Sequence, residues 1–205
     1  MLVKVCGLKD QENLNSIAEQ NPDFIGMIFY YPSKRNVTST LSYNGTSKKV
    51  GVFVNSSIQI IESKIQEFGL DYIQLHGNET PKFCEELYLK GYQIIKAFSV
   101  NADFNFEDLK PYIGFCKYFL FDTKAELPGG NGIKFNWEIL NHYKEQVPFL
   151  LSGGIQNRDI ENILNLNFPY LIGIDINSKY EIEPGIKNIE LVNKTINKIK
   201  NAVIK

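Results

Sequence analysis

Short runs of β-branched and aromatic residues recur along the chain at 2–6, 24–29, 49–54, 71–75, 92–98, 117–122, 148–152 and 170–174, their starts 21 to 31 residues apart. Each interval has room for one strand, one helix and two tight connections, so the pattern predicts eight βα units. Between the runs, apolar residues recur at helical spacing: Ile58, Ile61, Ile65 and Phe68, then Ile160, Ile163 and Leu164, and last Ile189, Val192, Ile196 and Ile199. Thr80 ahead of Pro81 predicts a capped helix start, and Asp10 and Asn157 predict two more. The segment 37–48, rich in Ser, Thr and Asn, is the weak beat and predicts a short, irregular or mobile second helix.

Eight parallel βα units close into a barrel or lie open as a doubly wound sheet, and periodicity does not choose between them. The polar residues do. Cys6, Arg35, His76, Asp122, Gly153 with Gly154, and Asp175 fall at the predicted C-terminal ends of six strands. An open sheet would spread them along an edge at about 4.8 Å per strand, whereas closure gathers them around one mouth. The expectation is a single-domain (βα)8 TIM barrel, α/β in class, over residues 1–205.

Composition narrows the chemistry. With 22 basic and 23 acidic side chains and a net charge of −1, the surface has no field to steer it onto nucleic acid or an anionic membrane. No basic, apolar leader opens the sequence, and no apolar stretch approaches the roughly 18 residues of a membrane span, so a cytoplasmic protein is expected. The 3 cysteines form neither a CxxC pair nor a Cys/His ligand spacing, and no dinucleotide motif is present. Neither metal nor cofactor is expected, and a cysteine that matters here matters as a thiol.

Glycine-rich turns follow the last three predicted strands: Gly129, Gly130 and Gly132 after the sixth, Gly153 and Gly154 after the seventh, and Asp175, Asn177 and Ser178 after the eighth. Glycines let backbone N–H groups converge on an anion, and a short helix near Ser178 would add its positive end. Tight βα turns alone would also explain single glycines; three such turns on adjacent strands favour a phosphate cradle, which in barrels often lies after strands seven and eight. Cys84 and Cys116 read as small buried hydrophobes. Cys6 differs by position: it closes the first strand facing the mouth, with Lys4 one layer below on the same side, where a cation could favour thiolate. Asp122 follows Tyr118, Phe119, Leu120 and Phe121, and a desolvated carboxyl favours its protonated form. Either it caps the next turn or it is a general acid paired with a thiol base across the mouth. Arg35 suits a substrate carboxylate, and His76 lines the site or orients a neighbour; His142 reads as structural.

These residues sit in stretches that resemble the phosphoribosylanthranilate isomerases over nearly the whole length: VKVCG (3–7), GMIFYYPSKR (26–35), VGVFVN (50–55), QLHG (74–77), LFDTK (120–124), GGNG (129–132), FNW (135–137), LSGGI (151–155), GIDINSKYE (173–181) and PGIKN (184–188). The resemblance implies a barrel that carries out the cofactor-free Amadori rearrangement of N-(5-phosphoribosyl)anthranilate in tryptophan biosynthesis. By it, Asp122 is the general acid at the ring oxygen, Cys6 the base at the sugar's second carbon, Arg35 the holder of the anthranilate carboxylate, and the glycine turns the phosphate contacts. A small phosphorylated substrate is then the partner, and the chain a monomer or homodimer. Lys34, Asn131, Asn136, Asn177 and Lys179 depart from the family's usual residues. Lys179, in place of glycine, either changes the backbone angle or supplies a cation to the phosphate. A histidine-pathway aldose–ketose isomerase, which relies on an aspartate where Cys6 stands, and a non-catalytic phosphate-binding barrel are the competing readings.

Overall fold

A computed structural model describes residues 1–123 and 137–202. Eight parallel strands close into one barrel in sequence order: β1 Leu2–Cys6, β2 Phe24–Phe29, β3 Lys48–Phe53, β4 Tyr72–Leu75, β5 Ile94–Val100, β6 Tyr118–Thr123, β7 Phe149–Ser152 and β8 Leu171–Ile176. The β1–β8 pairing, with Lys4 opposite Asp175, completes the closure. The closed sheet settles the choice left by periodicity in favour of the barrel.

Side-chain alternation divides the strands into an inner and an outer set. Phe24, Val50, Ile95, Ala97, Leu120 and Leu150 form a dry cluster of their own, distinct from the main core between sheet and helices. Phe24 meets Tyr72 edge-on at 5.5 Å, and Tyr72 stacks on Tyr118 at 5.9 Å. This end of the barrel is plugged with apolar and aromatic groups, which leaves the polar inward positions, Lys4, Cys6, Gln74, Asp122 and Asp175, further along their strands.

The outer helices begin where capping side chains allow. Asp10 caps α1 (Gln11–Ala18) by accepting from Asn13 N, and Ser57 caps α2 (Ile58–Phe68), which Gly69 ends in the left-handed region. Thr80 caps α3 (Pro81–Leu89), as the Thr-Pro pair predicts. Helix α5 (Ile189–Ala202) buries Val192, Ile196 and Ile199.

Three expectations need correction. The segment 37–48 forms no helix: it runs as irregular chain up to the start of β3, held in part by the Tyr43 hydroxyl, whose Oη accepts from Ser47 N at 2.8 Å. Asn157 is not a cap but the first residue of a 3-10 turn; the cap is Gln156, whose N–H donates to Asp159 Oδ2 at 3.0 Å, ahead of α4 (Ile160–Leu164). Strand β8 runs on to Ile176, so Asp175 lies inside the strand and not in the loop after it.

Candidate active site

The mouth is built from strand ends. Lys4 and Cys6 share the inner face of β1; Lys4 is fully buried and Cys6 is 3% exposed. Lys4 Nζ donates to Asp175 Oδ1 at 3.0 Å and lies within interaction reach of the Cys6 sulfur. Burial pushes the Cys6 thiol up; Lys4 pulls it down, Asp175 adds to the rise, and Lys187 pulls more weakly, for a net upward direction. The cation anticipated below the thiol is therefore present, but desolvation outweighs it. Burial also raises Asp175, against the pull of Lys4.

The opposite wall carries Asp122. Its Oδ2 lies 3.3 Å from His76 Nε2, and Gln74 Nε2 lies 2.8 Å from His76 Nδ1. With the Gln74 amide donating to Nδ1, the ring proton sits on Nε2 and points at Asp122 Oδ2, leaving Oδ1 for a ligand. The loop that carries His76 is held from beneath: buried Lys96 donates to Gly77 O at 2.8 Å and to Glu79 Oε2 at 3.2 Å, while Glu79 accepts from Gly77 N and Asn55 N. Asp175 senses Lys4 on one side and both His76 and Asp122 on the other. Cys6, Asp175, His76 and Asp122 thus border one polar interior.

Arg35 projects over this interior from the loop after β2. Its Nε donates to Glu181 Oε1 at 2.8 Å and its Nη2 to Glu181 Oε2 at 2.5 Å. Glu181 opens β9 (Glu181–Glu183), which pairs antiparallel with β10 (Ile186–Lys187). Lys187 Nζ adds bonds to Glu181 Oε1 at 2.6 Å and Asn177 Oδ1 at 2.7 Å, and Asn13 clamps the Lys187 backbone from α1. Burial alone would raise Glu181, but Arg35, Lys187 and the Gly185 N–H outweigh it and hold the carboxyl down at about 2. Gly7, at φ +80°, is needed here: a Cβ would lie 2.7 Å from Asn177 Oδ1 and 2.9 Å from Arg35 Cδ.

Of the residues expected in the phosphate cradle, Gly153 and Gly154 turn with φ of +101° and +64°, and Ser178 opens a 3-10 turn through Tyr180. Asn177 leans toward Lys187, and Asp175 turns inward onto Lys4, so it does not join the cradle: a carboxylate inside the barrel gains a buried cation, whereas in the loop it would repel a phosphate. Gly130 and Gly132, like Asn131 and Asn136, lie outside the described residues. Lys179 has no left-handed backbone, and it lines a cavity of about 410 Å³ with Gln156, Asn157, Arg158 and Leu191. Glu181, Lys187, Gln74 and Glu79 were not singled out from sequence. The first two stand in the motif stretches 173–181 and 184–188, where their charge was the only signal. No cluster fit to hold a metal ion occurs among the described residues.

The family model described as N-(5'-phosphoribosyl)anthranilate (PRA) isomerase matches residues 3–198. An N-(5'-phosphoribosyl)anthranilate isomerase of Parabacteroides distasonis is 44% identical over all of this chain and 96% of its own. Among solved structures, the phosphoribosyl anthranilate isomerase of Thermotoga maritima superposes with a TM-score of 0.82 at 27% identity, covering 98% of this chain and 99% of the other. A phosphoribosyl anthranilate isomerase in complex with reduced 1-(o-carboxyphenylamino)-1-deoxyribulose 5-phosphate superposes with a TM-score of 0.80 at 25% identity, covering 98% of this chain and 100% of the other.

Proposed function

Because the chain belongs to the phosphoribosylanthranilate isomerase family, and so isomerises N-(5-phosphoribosyl)anthranilate to 1-(2-carboxyphenylamino)-1-deoxyribulose 5-phosphate in tryptophan biosynthesis, we propose that Asp122 is its general acid and Cys6 its general base. Protonated Asp122 gives its proton to the furanose ring oxygen; the bond from that oxygen to the first carbon breaks, and the anilino nitrogen's lone pair forms the iminium. Cys6, as thiolate, takes the proton from the second carbon, and those electrons neutralise the iminium to an enolamine. Transfer of a proton from the enol oxygen to the first carbon then gives the ketone. Atoms balance without a redox partner, and general acid/base steps of this kind contribute about 10² to 10⁴ each.

One observation carries the assignment: Asp175, bonded to Lys4 at 3.0 Å, faces both Cys6 and the His76–Asp122 pair, whose own contact is 3.3 Å, so the thiol and the carboxyl border the same interior. Cys6 is 3% exposed, while Asp122 and Arg35, at 24% and 23%, are open to the mouth. The phosphate end belongs at Gly153, Gly154 and Ser178, with Lys179 as an added cation, and the aryl carboxylate at Arg35. No described helix is long and apolar enough to cross a membrane; a cytoplasmic enzyme, monomeric or homodimeric and without metal or cofactor, accords with this chemistry.

The test is to generate the labile substrate in situ and follow the loss of its anthranilate fluorescence. Cys6→Ala and Asp122→Asn should each slow turnover at least about 100-fold while the folded spectrum is retained. If both variants match the wild type, the assignment is wrong.

A further inference from the structure

The bidentate grip of Glu181 on Arg35 is not needed by the acid/base scheme, and at first sight opposes it, since the arginine assigned to the substrate's carboxylate already holds one. Several features argue that this contact serves binding. Arg35 and Glu181 are 146 residues apart and come from opposite sides of the β1 end, so neither local turn requires the other. Glu181 is 5% exposed and Arg35 is 23% exposed, which puts the carboxylate behind the guanidinium as seen from the mouth. A guanidinium has five N–H donors in a fixed fork. Glu181 takes Nε and Nη2; among the described residues Nη1 has no partner.

The charge count matches. Arg35 and Lys187 carry two positive charges and Glu181 one negative, leaving one net positive charge for one incoming carboxylate. Glu181 does not depend on Arg35 alone, because Lys187 Nζ at 2.6 Å and Gly185 N at 3.0 Å also hold it. Lys187 is itself fixed: it pairs with Glu181 across the β9–β10 hairpin, and Asn13 holds its backbone N–H and C=O at 2.8 and 2.9 Å.

We propose that Glu181 is a positioning residue for carboxylate recognition, fixing the Arg35 guanidinium by its Nε/Nη2 side so that the Nη1 edge faces the aryl carboxylate of the substrate, with Lys187 holding Glu181 in place. The proposal rests on Arg35 being the carboxylate anchor. It has a second consequence at the thiol. Cys6 is faced by Lys4 from β1, Asp175 from β8, Lys187 from β10 and Arg35 from the loop after β2. Glu181 absorbs part of the field of the last two, so removing its charge strengthens their pull on the sulfur.

The experiment compares wild type, Arg35→Met, Glu181→Gln and Glu181→Asp by steady-state kinetics and by the pH dependence of Cys6 alkylation with iodoacetamide, in a background where Cys84 and Cys116 are serine. Arg35→Met should raise KM at least about tenfold. Glu181→Gln should raise KM about fivefold with kcat changed less than about threefold, and should move the alkylation midpoint to lower pH. Glu181→Asp keeps the charge but shortens the reach, so KM should rise while the midpoint stays at the wild-type value; this variant carries the test if Glu181→Gln does not fold. A wild-type KM in Glu181→Asp, or an unmoved midpoint in folded Glu181→Gln, overturns the positioning role while leaving the anchor intact. An unchanged KM in Arg35→Met removes the anchor and the proposal with it.

Discussion

Acid should weaken this fold through Glu181 in a way that one substitution isolates. The carboxyl is held at about 2 in the folded protein against an ordinary value of 4.5. A carboxyl whose folded pKa lies below its unfolded one binds fewer protons folded than unfolded, so its contribution is complete above about 4.5 and is withdrawn as pH falls toward about 2. The gap, at about 1.4 kcal/mol per pH unit, is worth about 3 kcal/mol at neutral pH, of which about 2 kcal/mol is gone by about pH 3. The side chain is 5% exposed, so solvent screening takes little from that figure. Against a typical total of about 5–15 kcal/mol it is a large share. Urea unfolding of wild type and Glu181→Gln at a series of pH values from about 7 to about 3 reads it directly. Other carboxyls titrate in both proteins and cancel in the difference, whereas the glutamine cannot titrate. The wild type should lose about 2 kcal/mol more than the variant over that range. Parallel curves would show that Arg35 and Lys187 do not hold this carboxylate as the geometry says.

Two further outcomes follow from the mouth. Lys4→Met, made together with Asp175→Asn because an unpaired buried carboxylate would cost about 3–5 kcal/mol, should move the iodoacetamide midpoint of Cys6 upward relative to Asp175→Asn alone; a midpoint that stays put takes Lys4 out of thiol activation. Gly7→Ala places a methyl 2.7 Å from Asn177 Oδ1 and 2.9 Å from Arg35 Cδ at φ +80°, so it should lower stability by about 1–3 kcal/mol and raise KM through the displaced arginine, checked by thermal melting and steady-state kinetics.

The strands were legible because a parallel barrel buries both faces of each one, which writes them as continuous apolar runs rather than alternating ones. That is why β1 and β2 match their expected bounds to the residue. Helices were legible from a cap, as at Asp10 and Thr80-Pro81, or from a 3.6-residue stripe, as over 58–68 and 189–199. Pro111 sits inside the 3-10 turn Phe106–Tyr112 after β5, and Trp137–His142 after β6 is likewise 3-10. The apolar run of β8 ends at Ile174, yet the strand continues through Asp175 to Ile176, because Lys4, 171 positions away, pairs with that carboxylate inside the barrel. Glu181 and Lys187 flank a Pro-Gly turn, and nothing in their local sequence marks them as buried. What makes them part of the site is Arg35, which no local pattern connects to them.

The pairing of these interior charges bears on how the mouth can take a substrate with both a phosphate and a carboxylate. Lys4 is committed to Asp175, and Lys187 to Glu181 and Asn177. Little unbalanced positive charge is left at the barrel centre, where the reacting carbons of the sugar would lie. On the proposed assignment, attraction for the anionic ends comes from the periphery: the outer edge of Arg35 on one side, and on the other the Gly153–Gly154 turn with Lys179. On that assignment an anionic substrate is stretched between two rims, with the Cys6 thiol, which burial pushes up, and the Asp122 carboxyl between them. Because each buried cation already has its counter-charge in the resting protein, few dipoles need to turn when charge moves in the ring-opening step, and that preorganisation is what lowers a barrier.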